Sequence, residues 1–434
     1  MPDRVLERLA ELADHLDASD RGDPVVRACA LAKMGASVIA APFIGAFIGA
    51  SSVRRTRRMR QGIASFPRLI ADVAAGRLPD LAPTRIIRLP AAGRYLITSD
   101  LHRSTPGPGD WPTIQQVTGL YAEMLDSYGE REWTLVENGD VEDFWVVGGS
   151  VWGCVYDAAR IVQRLGGGSE LWSEMVRCHL DRIVSHNEAV YERIERHFSD
   201  RGRYFRTVGN HDDVYLHDEG VAQLRRHHPG VGVADFVVLE AAPGPQAVIT
   251  HGHQTDSWNA PFQDGLGKLM TWMGSLSNDL PFGPSNPDLP SPAVTARMLD
   301  GTWPDLLTPV SHLYGANGEF DSTNEVQMHK AWLKRWGGDT DEPWLFLGHT
   351  HHPLRSPGRP DDSGSRWSKY LNSGSGITHR LITAIEWDGT GDPLRPRLRL
   401  VAWHRDGDGA TQRFRLEADG DRLRPVPLGR EGVA

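Results

Sequence analysis

Short apolar runs, most of them closed by a polar or glycine-containing loop, recur through the middle of the chain. They lie at Ile86–Leu89, Tyr95–Thr98, Trp133–Val136, Tyr204–Val208, Ala247–Thr250 and Trp344–Leu347. Their length and their β-branched and aromatic content predict buried strands. Between them, residues 169–198 place Leu171, Met175, Cys178, Leu180, Ile183 and Val190 among charged positions at helical spacing, which predicts one helix. Strands alternating with helices predict an α/β layered domain. From 369 to about 426 the pattern turns strand-like, with Arg-Leu-Arg-Leu at 397–400 and Gln-Arg-Phe-Arg-Leu at 412–416 alternating at period two.

The amino-terminal part differs. Residues 1–20 read as an amphipathic helix, Val5, Leu9, Leu12 and Leu16 recurring between charged residues, rather than as a secretory leader. Residues 34–53 then run without a charge, long enough to span a hydrocarbon core as a helix. They contain the small-residue spacing Gly45-x-x-x-Gly49 and are followed by Arg54, Arg55, Arg57, Arg58 and Arg60. Membrane contact through 34–60 is one expectation. A Gly/Ala-rich helical hairpin packed on the domain, with the arginines as its solvated edge, is the other. Residues 1–84 are expected to form a helical N-terminal extension.

Composition narrows the chemistry. The chain has 434 residues with 40% hydrophobic and 24% charged positions, ordinary for folded domains. A net charge of -9 argues against a general nucleic-acid binder, and no specific nucleic acid is expected as partner. Three cysteines without a C-x-x-C pair suit a reducing compartment, so the body of the protein is expected in the cytoplasm. The 18 histidines are the informative excess. Many close the predicted strands: Asp100-Leu101-His102, then Gly139-Asp140-Val141-Glu142-Asp143, Gly209-Asn210-His211-Asp212, His251-Gly252-His253, and Gly348-His349-Thr350-His351-His352. Open α/β sheets bind ligands at strand carboxyl ends, so five such loops are expected to converge on one crevice.

In this order the five motifs resemble the calcineurin-like metallophosphoesterase superfamily, over roughly residues 85–400. The resemblance implies an α/β/β/α sandwich spanning 85–426 and a centre of two divalent metal ions (Mn, Fe, Zn, Ni or Co), with a hydroxide between them attacking a phosphoester. Asp100, His102, Asp140 and His351 would hold one ion, and Asp140, Asn210, His251 and His349 the other, with Asp140 shared. Oxygen and imidazole donors without thiolate suit such borderline ions. His211 would protonate the leaving oxygen, with Asp212 orienting it. Asp143 is expected to accept a hydrogen bond behind the ligands, and His253 and His352 to contact phosphate, support a ligand or serve as plain loop residues. Glycines 139, 209 and 348 are expected where the chain turns sharply to aim ligands inward.

The substrate expectation is a small-molecule phosphoester, phosphorylated or nucleotide-containing. The second motif lacks the D-R-G continuation of the Ser/Thr protein phosphatases and is more similar to the branch containing UDP-diacylglucosamine pyrophosphohydrolases. Residues 254–343 form a long insert before the last motif, with Trp258, Trp272, Trp303, Trp332 and Trp336, which reads either as a lid or as a small apolar subdomain. A non-catalytic scaffold on the same fold is the rival to the enzyme reading, but scaffolds tend to lose ligands and none of the five motifs is missing.

Overall fold

A computed structural model describes residues 85–106, 109–147, 150–164, 169–255, 343–351, 353–355, 369–419 and 422–429, with 68–69, 71–73 and the single positions 8, 24 and 28. The apolar segment 34–53, nearly all of the insert and His352 lie outside these residues. Among the described residues, no helix is long and apolar enough to cross a membrane.

The fold is mixed α/β, built on two sheets. The larger has eight strands in the order β14-β13-β12-β11-β2-β3-β4-β5. Its half formed by β2 (Arg94–Thr98), β3 (Thr134–Asn138), β4 (Tyr204–Thr207) and β5 (Gly232–Ala234) is parallel. Its other half, β11 (Leu381–Asp388), β12 (Arg397–Arg405), β13 (Thr411–Asp419) and β14 (Arg422–Pro427), is an antiparallel meander. The smaller sheet runs β1-β6-β7-β8-β10-β9. Its strands are β1 (Ile86–Pro90), β6 (Phe236–Ala241), β7 (Gly244–Ile249), β8 (Trp344–Leu347), β9 (Pro353–Arg355) and β10 (Tyr370–Ser373).

Hydrophobic burial stacks the sheets face to face. Tyr95, Ile97, Ile385 and Trp387 of the larger pack against Val237, Leu239, Ile249 and Phe346 of the smaller. Each such side chain contributes about 1.5–3 kcal/mol when fully buried. Leu96, Leu135, Tyr204 and Val401 point the other way and are covered by helices Thr118–Gly129, Ser150–Arg164, Ser169–His186, Glu188–His197 and Asp218–His227. Leu69, Ala71 and Val73 touch the outer face of the smaller sheet. Burial on both faces explains why β2 and β3 read as unbroken apolar runs, whereas β12 alternates Arg and Leu.

The single helix expected over 169–198 is two helices, interrupted at Asn187. The buried Asn187 amide donates to the Ile183 carbonyl (3.0 Å) and across to the Ser104 carbonyl (3.2 Å). A helix residue has thus been recruited to hold the loop that follows β2.

Candidate metal centre

The parallel strands β2, β3 and β4 and the strands β7 and β8 deliver all five polar loops to one place. Backbone bonds lock the loops together. Leu101 N and His102 N both donate to the Asp140 carbonyl at 2.9 Å, and Gly348 N donates to the His251 carbonyl at 3.0 Å. The two sheets are joined by His349 N donating to Asp100 Oδ2 at 2.9 Å.

Three overlapping groups of donor atoms result: Asp100, His102 and His351; His102, Asp140 and His211; Asp140, His251 and His349. These groups can hold a metal ion. Within them His102 Nε2 lies 3.2 Å from His351 Nε2, His351 Nε2 lies 3.3 Å from Asp100 Oδ1, and His251 Nε2 lies 3.1 Å from Asp140 Oδ2. Ligand atoms about 2.1 Å from a shared ion sit about 3.0–3.4 Å apart in octahedral or tetrahedral coordination, so these separations fit. The outward nitrogens fit as well. His102 Nδ1 pairs with Asp143 Oδ2 at 3.2 Å, and His251 Nδ1 with the Asn138 carbonyl at 2.8 Å, the support that ligating imidazoles ordinarily have. Asn210 Oδ1 is buried with no hydrogen-bond partner, an acceptor lacking a counterpart unless a cation supplies one.

The backbone is distorted at this spot. Eight non-glycine described residues have positive φ, and five of them are Asp100, His102, Asp140, His349 and His351. Left-handed conformations cost such residues about 1–2 kcal/mol each, strain held by the surrounding loops and concentrated on the donors.

The glycine expectation is corrected in part. Gly139 does adopt the left-handed conformation (φ 77°), but Gly209 and Gly348 do not. They are small for want of space: a Cβ would stand 2.2 Å from Asp140 Oδ1 at Gly209 and 2.5 Å from Ser99 Oγ at Gly348.

Electrostatics follow from packing carboxylates among imidazoles. Burial would raise Asp140, but His251, His211 and His102 hold it well below the ordinary carboxylate range. Asp100 is lowered likewise, burial being outweighed by His251 and His351. Burial opposes the charged form of His251, yet Asp140 and Asp100 push it up to about 10. His102 goes down, by burial and by repulsion from His211.

The Asp212 expectation is overturned. Its carboxylate accepts from Gly209 N (2.6 Å) and Val141 N (3.0 Å), tying the β4 loop to the β3 loop. Asp143 is the carboxylate on His211, with Oδ1 at 3.0 Å from Nδ1, and its other oxygen serves His102. Burial works against a charged His211, but Asp143 and Asp140 raise it to about 9. His253 is buried, its ring centroid 5.4 Å from that of His251, and its Nδ1 has no hydrogen-bond partner.

Two features were not anticipated. Trp111 and Trp145 wall the centre, Trp111 against His102 (4.9 Å between centroids) and Trp145 against His211 (4.6 Å). Beneath lies a buried lattice of Arg103, Glu137, Glu142 and Arg206. Arg103 reaches Glu137 at 2.5 Å, Arg206 grips both oxygens of Glu142 (2.5 and 2.9 Å), and Tyr121, Tyr204, Tyr191 and Tyr215 cap the remaining lone pairs. Glu142 stood in plain view within the second motif, and Arg206 was a charge inside an apolar run, the available signals for such pairing. Because Arg103 follows His102 and Glu142 precedes Asp143, the lattice anchors both loops from below. No family model, no curated protein and no solved structure matches this chain.

Proposed function

We propose that this protein is a metal-dependent phosphoesterase acting on a small phosphorylated or nucleotide-containing substrate, on a sandwich of the calcineurin-like metallophosphoesterase type. The observation that carries this reading is the overlap of the donor groups, with His102 and Asp140 each shared between two of them. Overlap is what a pair of neighbouring cations requires, and Asp140 supplies the common carboxylate. Asp100, His102 and His351 would hold one ion; Asn210, His251 and His349, with Asp140, the other.

When bound, a pair of divalent ions supplies Lewis-acid charge and lowers the pKa of water toward neutrality. Against two dications the set brings only the Asp100 and Asp140 carboxylates, so the centre retains positive charge that suits an anionic ester. The chain's own groups do the rest. Asp143 accepts from His211 Nδ1 and favours the doubly protonated imidazolium, whose Nε2–H is then the proton available to a leaving oxygen. Gly209 and Gly348 let neighbouring loops pack directly against Asp140, Ser99 and Asp100, and the buried Trp111 and Trp145 shield His102 and His211 from water on one side each.

The test is direct. The purified full chain should bind Mn²⁺ and then hydrolyse bis-p-nitrophenyl phosphate or p-nitrophenyl phosphate. Chelation should abolish turnover, and re-addition should restore it. Activity indifferent to chelator, or a folded preparation that takes up no divalent ion, would overturn the reading. A protein that binds metal but cleaves neither ester would support the scaffold alternative.

A further inference from the structure

We propose that Trp145 is a positioning residue for His211, its indole setting the tilt of the imidazole that delivers a proton to the leaving oxygen. The proposal rests on the phosphoesterase reading above. The indole lies against the imidazole with centroids 4.6 Å apart and planes 28° apart. On another side the edge of His102 meets the same ring at 4.6 Å and 86°. Trp145 is 2% and His211 8% exposed, so the stack is largely shielded from water.

A hydrogen bond at Nδ1 alone would not hold this ring. It fixes one in-plane direction, while the terminal torsion of a histidine is broad and lets the ring rock about that bond. Flat contact with a large ring removes the rocking, and offset stacking adds attraction beyond simple burial. Trp145 acts a second time through its backbone: its N–H donates to Asp143 Oδ1 at 2.9 Å, the oxygen that also receives His211 Nδ1. One residue thereby fixes both the carboxylate that aims His211 and the plane in which His211 lies. As the P–O bond to the leaving group breaks, the His211 Nε2 proton must meet the departing oxygen, and that meeting depends on ring tilt.

The experiment compares W145L, which fills the space without a ring, with W145F, which restores one. Phenyl phosphate and p-nitrophenyl phosphate serve as substrates for the Mn²⁺-loaded full chain. Phenolate needs a proton to leave, whereas p-nitrophenolate leaves largely without one. W145L should lower kcat for phenyl phosphate about 10–100-fold, as for a displaced proton donor. It should lower kcat for p-nitrophenyl phosphate much less, with KM and bound Mn²⁺ unchanged, and W145F should recover most of the loss. Equal losses on both esters, loss of Mn²⁺, or W145F behaving like W145L would overturn the proposal.

The wild-type metal-free protein provides a readout independent of turnover and of any substitution at Trp145. The His211 ring protons, identified by their disappearance in H211Q, should resonate upfield because they lie over the indole. Their appearance at ordinary shifts would overturn the stack. If the Mn²⁺-loaded wild type cleaves neither these monoesters nor bis-p-nitrophenyl phosphate, the phosphoesterase reading fails, and with it proton delivery; the stack of Trp145 on His211 is judged separately by this spectrum.

Discussion

Gly209→Ala tests how tightly the loops are fitted around Asp140. The backbone at Gly209 lies outside the left-handed region, so alanine is conformationally allowed there. Its effect on the unfolded chain alone would stabilise the protein by about 0.4–1 kcal/mol. The added Cβ, however, would stand 2.2 Å from Asp140 Oδ1 and 2.3 Å from the Asp140 backbone nitrogen. Both are about 1 Å or more short of ordinary van der Waals contact. A backbone atom cannot escape by changing rotamer, so the β4 and β3 loops must part. Overpacking of this kind costs about 1–3 kcal/mol, which outweighs the entropic gain and leaves a net loss of roughly 1–2 kcal/mol. The functional consequence should be larger. Asp140 belongs to two of the three donor groups, and disturbing the support of a ligand lowers metal affinity about 10–100-fold. Urea unfolding of the metal-free protein measures the first effect, and calorimetric titration with Mn²⁺ the second. A G209A variant with wild-type midpoint and wild-type Mn²⁺ affinity would refute the packing argument.

Three further outcomes are expected. His211→Ala should leave Mn²⁺ content intact while lowering turnover about 10²–10⁴-fold, and loss of bound metal instead would show that His211 is a ligand. Asp140→Asn should weaken uptake of both ions together in a metal-stoichiometry measurement; loss of only one would contradict a shared carboxylate. The third concerns His228, which lies flat on Tyr191 (5.4 Å, 4°) with neither ring nitrogen hydrogen-bonded. Burial first, then Arg206 and Arg103, hold it neutral down to about pH 3, whereas the unfolded residue takes a proton near 6.5. The unfolded state therefore binds more protons between these values, and wild-type stability should fall as pH drops through that window. His228→Phe should stabilise the protein by about 1–3 kcal/mol at pH 7 and by more at pH 5. Urea midpoints of the metal-free proteins at the two pH values decide it: parallel declines would sink the assignment.

Much of the architecture was legible because period and punctuation are local. β8 falls at Trp344–Leu347 as the apolar run predicted, and β2, β3, β4 and β7 differ from their predicted spans by a residue or a few at the ends. The break at Asn187 is not legible in the helical spacing; its side chain is held by the Ser104 carbonyl, far away in sequence. Helical patterns separate several of the strands, but only that over 169–198 is strong enough to carry a range, and strand β6 and helices Thr118–Gly129, Ser150–Arg164 and Asp218–His227 take theirs from the structure. Asp212, which the resemblance sets beside His211, turns its carboxylate back to two loop amides instead.

Taken alone, the chain determined which residue types end which strands, because strand length, burial and loop chemistry are written within a few residues of each other. Tertiary structure decided the partnerships: Asp143 rather than Asp212 on His211, His349 N on Asp100, Trp145 on the imidazole face, Arg206 beneath Glu142. Those pairings depend on distance and direction between segments as much as 250 positions apart, as with Asp100 and His349 (249 apart). Packing the two sheets against each other brings Asp100 and His349 within reach, and pairing of β3 with β4 in the larger sheet brings together the other three.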